Sequence, residues 1–274
     1  ANDDKLYLPV ENIDVLSRYG SDVLEESLDK LGGVSWGSRK EKLKKRIKFL
    51  AEELMAVAAK RQMSSAEIIN VPEDFYEEFC SRFPFEETND QFNAIHSVIN
   101  DLEKGQPMDR LICGDVGFGK TEVALRASFL TAMSGKQVAI LTPTTLLARQ
   151  HYETFKNRFR GFPININELS RLTAKKDDVI KKINSGSSDI VIGTHSLLGD
   201  KIEFNDLGLL IIDEEQHFGV KHKEKIKKLK SNIHILTLTA TPIPRTLQLA
   251  MTGVRDLSII ASPPVDRRAI ETYV

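Results

Sequence analysis

Five apolar runs divide the chain: LIC (111–113), VAILT (138–142), DIVIGT (189–194), LGLLIID (207–213) and IHILTLTAT (233–241). Between them lie stretches of helical periodicity that begin near Lys120, Thr144, Lys175, Lys221 and Arg245. Strands that are apolar at nearly every position need cover on both faces, and the intervening helices supply it. The alternation therefore predicts an α/β fold with a mostly parallel central sheet flanked by helices. A parallel sheet gathers the carboxyl ends of its strands along one edge, so any ligand is expected there.

Composition narrows the classes further. At 274 residues, 41% hydrophobic and 28% charged, the chain can bury a sizeable core without staples. Cys80 and Cys113 stand outside any CxxC or Cys/His spacing, so neither a disulfide framework nor a zinc site is expected, and a reducing cytoplasm fits. The sequence has no apolar run of about eighteen residues and no secretory pattern in its opening stretch. A net charge of −1 argues against a protein that coats polyanions over its whole surface, so any nucleic-acid site must be local. The densest basic run, RKEKLKKRIK (39–48), reads as the solvated face of a helix over 38–61, with Ser38 as N-cap, Glu41 as its box partner, and Leu43, Ile47, Leu50, Leu54 and Ala58 on one stripe.

The sharpest local signal is Gly114-Asp115-Val116-Gly117-Phe118-Gly119-Lys120-Thr121, a GxxxxGK[ST] pattern lying directly after a strand and before a helix. Glycines there permit positive φ and close approach, so successive amides and a helix N-terminus can face phosphate oxygens. Lys120 would reach the β and γ phosphates, and the Thr121 hydroxyl would hold Mg²⁺. A hydrolase also needs a strand-end acid for the metal ion and a base for water. The run ending Asp213-Glu214-Glu215-Gln216 offers both: Asp213 for the ion at the carboxyl edge, and Glu214 to orient and polarise water. An acidic cluster after a strand is on its own most often a solvated loop; the glycine pattern upstream gives it its function. A third element, Leu238-Thr239-Ala240-Thr241-Pro242, places Thr239 and Thr241 where they could couple the nucleotide site to another surface.

In order and spacing these elements resemble motifs I, II and III of the RecA-like first lobe of superfamily 2 helicases and translocases. The resemblance implies that residues 114–122, from Gly114 through Glu122, bind ATP, with Lys120, Asp213, Glu214 and Gln216 catalytic and Thr121 and Asp213 on Mg²⁺. It extends to Phe85-Glu86-Glu87-Thr88-Asn89-Asp90-Gln91, similar to a Q motif, in which Phe85 would pack on adenine and Gln91 would read its edge. Pro143-Thr144-Thr145-Leu146-Leu147-Ala148 with Gln150-His151, then Ser170-Arg171, then Gly193-Thr194-His195 resemble motif Ia and the elements after it. Thr144, Arg171, Thr194 and His195 would thus contact a double-stranded DNA backbone. Thr144 and Thr194 each follow an apolar strand, so a plain helix cap is the alternative reading of either.

Within the superfamily, GDVGFGKTEVA (114–124), DEEQHFGVKHKEKI (213–226) and LTATPIPRTLQLAM (238–251) are similar to the group that holds the transcription-repair coupling factors and RecG. Phe118 and Asp213-Glu214-Glu215 favour the coupling factors. The resemblance implies the end of an RNA-polymerase-interacting domain over 1–35, a long connector helix over 36–70, and the first motor lobe over 71–274. It also implies RNA polymerase and nucleotide excision repair proteins as partners, a bacterial cytoplasmic setting, and a second, arginine-bearing lobe outside this sequence. Without that lobe, the piece alone is expected to hydrolyse ATP poorly. Two rivals stand beside this reading: a RecG-like remodeller of replication forks, and a nucleotide-gated binding module that does not translocate.

Overall fold

A computed structural model describes residues 63–70, 73–218, 233–240 and 255–264, with scattered helical positions over 38–59 and at 226. The chain divides into two compact units, 1–56 and 57–274. In the first, the described positions are helical and their lysines, among them Lys40, Lys44 and Lys48, are exposed. The expected domain remnant over 1–35 lies outside the described residues.

Helix does not continue to residue 70. Residues 64–70 run extended, with the Ala66 amide donating to the Gly105 carbonyl (2.9 Å) and the Ile69 amide to the Leu102 carbonyl (3.1 Å). The reason is local and tertiary together. Paired serines and β-branched Ile68-Ile69 are weak helix formers, and burying Ile69 in the core rewards the extended path.

The second unit runs α1 (Glu73–Ser81), α2 (Asn89–Glu103), β1 (Asp109–Gly114), α3 (Lys120–Met133), β2 (Gln137–Leu141), α4 (Thr145–Arg158), β3 (Ile166–Leu169), α5 (Lys176–Asn184), β4 (Ile190–Gly193), β5 (Leu207–Asp213), β6 (His234–Thr239) and β7 (Asp256–Ile260). Short 3-10 turns, His195–Leu198 and Glu215–His217, follow β4 and β5. The seven strands form one sheet in the order β3-β4-β2-β5-β6-β1-β7, and each pairing is parallel. The predicted α/β class with a mostly parallel, helix-flanked sheet is what the chain adopts. The helices expected near Lys221 and Arg245 fall largely outside the described residues.

Alternate residues of the inner strands feed two separate cores. Val138, Ile140, Leu209, Ile211, Leu236 and Leu238 point into one, while Ala139, Leu141, Leu210, Ile212 and Ile235 point into the other. That two-sided burial is why these strands read as unbroken apolar runs. On the first face α3 is buried almost all round, and its Phe129 stacks on Phe79 of α1 with ring centroids 4.3 Å apart. Among the described residues, no helix is long and apolar enough to cross a membrane.

Candidate nucleotide-binding and hydrolysis site

Register decides whether the glycine loop and the acid can meet. Ile112 of β1 and Asp213 of β5 both pair with Leu238 of β6, so the end of β5 stands level with the end of β1 on the same carboxyl edge. With one strand between them, the two backbones are about 10 Å apart, a span that a triphosphate with its metal ion can bridge.

The loop from Gly114 turns through Gly117 (φ 82°) and Gly119 (φ 83°) into α3. No side chain caps α3, which leaves its opening amides for an anion. The Lys120 ammonium folds back on the loop, donating to the carbonyls of Gly114 (2.6 Å) and Asp115 (3.0 Å). Burial lowers its pKa from the ordinary value, and the carboxylates of Glu214, Asp213 and Asp115 pull the other way. Val116 is exposed, its amide donating to the Asp115 carboxylate (2.7 Å).

Space around the loop is already taken. A Cβ on Gly119 would lie 2.4 Å from Gln91 Nε2, and one on Gly114 would lie 2.9 Å from the Ile260 carbonyl. Gly119→Ala must also adopt a left-handed φ, at a cost of about 1–2 kcal/mol. It is expected to weaken ATP binding by roughly tenfold or more; titration with a fluorescent ATP analogue measures this, and unchanged affinity would remove the loop from the binding site.

Gln91 makes its bonds within the protein on both sides of its amide. It is buried, with Oε1 accepting from the Thr88 amide (3.1 Å) in a capping box and Nε2 donating to the Phe118 carbonyl (3.0 Å). The side chain therefore pins the start of α2 to the glycine loop and keeps one N–H for an adenine edge. Phe85 is 61% exposed, edge-on to Phe83 at 5.6 Å, and open to a planar ring. The Glu122 carboxylate accepts from Arg126 Nε and Arg158 Nη2, each at 3.0 Å, and its amide donates to the Gly119 carbonyl. One residue past Thr121, it lies on the buried side of α3.

At the acidic end, Asp213 Oδ2 is 3.0 Å from His151 Nε2. Glu214 has φ 52°, the single positive φ outside glycine among the described residues. Its carboxylate is held by the Ala240 amide (2.9 Å), the Thr239 hydroxyl (3.1 Å) and the Gln216 side-chain amide. Three residues picked from the sequence, Glu214, Gln216 and Thr239, thus form one network that offsets the strained backbone. Thr241 lies outside the described residues. No pattern in the sequence marks Arg255, buried just before β7, which reaches Glu215 (3.1 Å), Asp109 (2.9 Å) and the Thr237 hydroxyl.

The residues expected on DNA follow β2, β3 and β4, which are neighbours in the sheet, while the glycine loop, the acids and Thr239 stand at the ends of β1, β5 and β6. Thr144 is exposed and caps α4 by accepting from the Leu147 amide (3.2 Å). Arg171 and His195 are exposed. Thr194 is 3% exposed, its hydroxyl 3.3 Å from that of Ser196, so burial removes its side chain from the open surface. Of the Gln150-His151 pair, Gln150 faces solvent and His151 faces Asp213.

The family model for DEAD/DEAH box helicase matches residues 88–250, from the Thr88 cap past the end of β6. The chain belongs to the DEAD/DEAH box helicase family. Among these helicases it is similar to the transcription-repair-coupling factor of Bacillus subtilis (strain 168), 53% identical over 274 residues, covering 99% of this chain and 23% of that protein. The transcription-repair-coupling factor of Escherichia coli (strain K12) is 50% identical over 277 residues, covering 100% of this chain and 24% of that protein. The chain therefore spans about a quarter of the length of these relatives. Among solved structures, RecG bound to a three-way DNA junction matches with a TM-score of 0.66 and 33% identity, over 80% of this chain and 31% of RecG. The resemblance to the coupling-factor and RecG group holds in sequence and in fold. It places the DEAD/DEAH box motifs on a helicase-like, ATPase-type lobe.

Proposed function

We propose that this lobe binds and hydrolyses ATP for a double-stranded DNA translocase, and that the longer protein uses it to displace stalled RNA polymerase and couple transcription to nucleotide excision repair. The observation that carries the reading is the shared edge: the glycine loop of β1 and Asp213 of β5 stand level, with Glu214 fixed by the end of β6 between them.

The donors fit magnesium, since Thr121 and Asp213 offer oxygen only and Asp213 keeps Oδ1 for an ion while Oδ2 meets His151. When bound, the ion neutralises charge on the β and γ phosphates. Lys120 exchanges the Gly114 and Asp115 carbonyls for phosphate oxygens. Phe85 stacks on the base, Gln91 reads its edge, and Glu214 orients the attacking water and accepts its proton. Thr144, Arg171 and His195 are exposed after β2, β3 and β4 and meet DNA phosphates, which carry no sequence information.

DNA-stimulated ATP hydrolysis by the full-length protein tests this reading. Stimulation is expected to be indifferent to DNA sequence and to fall steeply between about 50 and 200 mM salt. Displacement of a protein roadblock with ATP, but not with a non-hydrolysable analogue, separates a translocase from a nucleotide-gated binding module. The likeness to RecG supports a second reading, fork remodelling; capture of RNA polymerase by the full-length protein favours the first.

A further inference from the structure

His151 sits where the helix periodicity asks for an apolar residue. Along α4, Ala148 and Phe155 are fully buried, and His151 shares their face at spacings of three and four. Its side chain is 12% exposed and that of Asp213 is 13% exposed. Phe155 lies edge-on to the imidazole with centroids 6.5 Å apart, and stacks in turn on Phe159 at 5.7 Å. The ring is thus set by packing, and Nε2 is left with one partner within 3.0 Å, Asp213 Oδ2.

A carboxylate that ligates an ion through one oxygen is free to swing unless its other oxygen is held, and a hydrogen-bond donor behind the ligand does that. A carboxylate oxygen accepts, so the contact is a hydrogen bond in the tautomer that carries the hydrogen on Nε2. We propose that His151 is the positioning residue of Asp213, occupying Oδ2 so that Oδ1 is presented to the magnesium ion. The helix that carries it begins at the exposed Thr144 cap after β2, so one hydrogen bond joins the β2 side of the sheet edge to the metal carboxylate. This rests on the ATP-site reading above.

The test uses the full-length protein and manganese as the metal probe. Free Mn²⁺ is followed by electron paramagnetic resonance as it binds in the presence of a non-hydrolysable ATP analogue, and analogue binding without metal is titrated separately. His151→Leu keeps the bulk and removes the donor; it is expected to weaken Mn²⁺ binding by about 10–100-fold and to leave metal-free nucleotide binding unchanged. His151→Gln carries an amide N–H at similar reach and is expected to recover most of that loss. Wild-type Mn²⁺ affinity in His151→Leu overturns the proposal. Equal losses in both variants, with metal-free nucleotide binding falling in parallel, also overturn it and assign His151 to packing alone. If the wild-type protein itself binds nucleotide with no dependence on metal, the ATP-site reading fails first and the role of His151 fails with it.

Discussion

Glu214→Gln in the full-length protein is expected to lower DNA-stimulated ATP hydrolysis by about 10²–10⁴-fold while ATP still binds. Glutamine fits the same space and can keep its oxygen on the Ala240 amide while its amide N–H donates to the Thr239 hydroxyl, so the turn after β5 survives. What it loses is the negative charge that, on the proposed reading, orients water and takes up its proton. Lys120→Ala is expected to differ in kind. The ammonium now resting on the Gly114 and Asp115 carbonyls is the loop's own cation for the phosphates, so binding and turnover fall together. Steady-state hydrolysis set against nucleotide titration separates the two. Near-wild-type turnover in either variant would contradict the site.

The second large effect is on stability. Glu122→Ala is expected to destabilise the fold by about 3–5 kcal/mol, because it strips the acid from a buried pair of arginines. Arg126 would keep Glu87 as its remaining acid, and Arg158 would keep ring contacts, with Phe79 at 4.5 Å and Phe83 at 5.9 Å from its guanidinium carbon. The side chains of Glu122, Arg126 and Arg158 are 5%, 6% and 10% exposed, so water cannot take over from the lost carboxylate. For a chain of this size the melting midpoint should fall by roughly 6–20 °C, as read by thermal unfolding followed by circular dichroism. A shift of a degree or two would mean that the cluster is already solvated.

The inner strands were legible because burial on both faces writes itself into consecutive residues. The edge strands were not: β3 (INEL) and β7 (DLSII) each have a single neighbour in the sheet and partly exposed faces, so polar residues interrupt them and no apolar run forms. The glycine loop was legible because its geometry is local, fixed within eight successive residues by backbone angles that glycine permits. Side-chain destinations were another matter. Glu122 adjoins Thr121, yet a helix turns about 100° per residue, and that rotation carries the carboxylate to the arginines. Thr194 and His151 illustrate the same limit, one buried after β4 and the other turned toward Asp213.

By itself, then, the sequence determined the layered α/β architecture, the glycine loop after β1 and the acid that ends β5, since periodicity and short-range backbone chemistry encode all three. Only the tertiary structure decided that β1 and β5 end level with β6 between them, and that Arg255 braces Glu215 from the far end of the chain. It alone set His151 against Asp213. Those relations join residues distant in sequence through strand order and packing, and no local pattern of side chains carries that information.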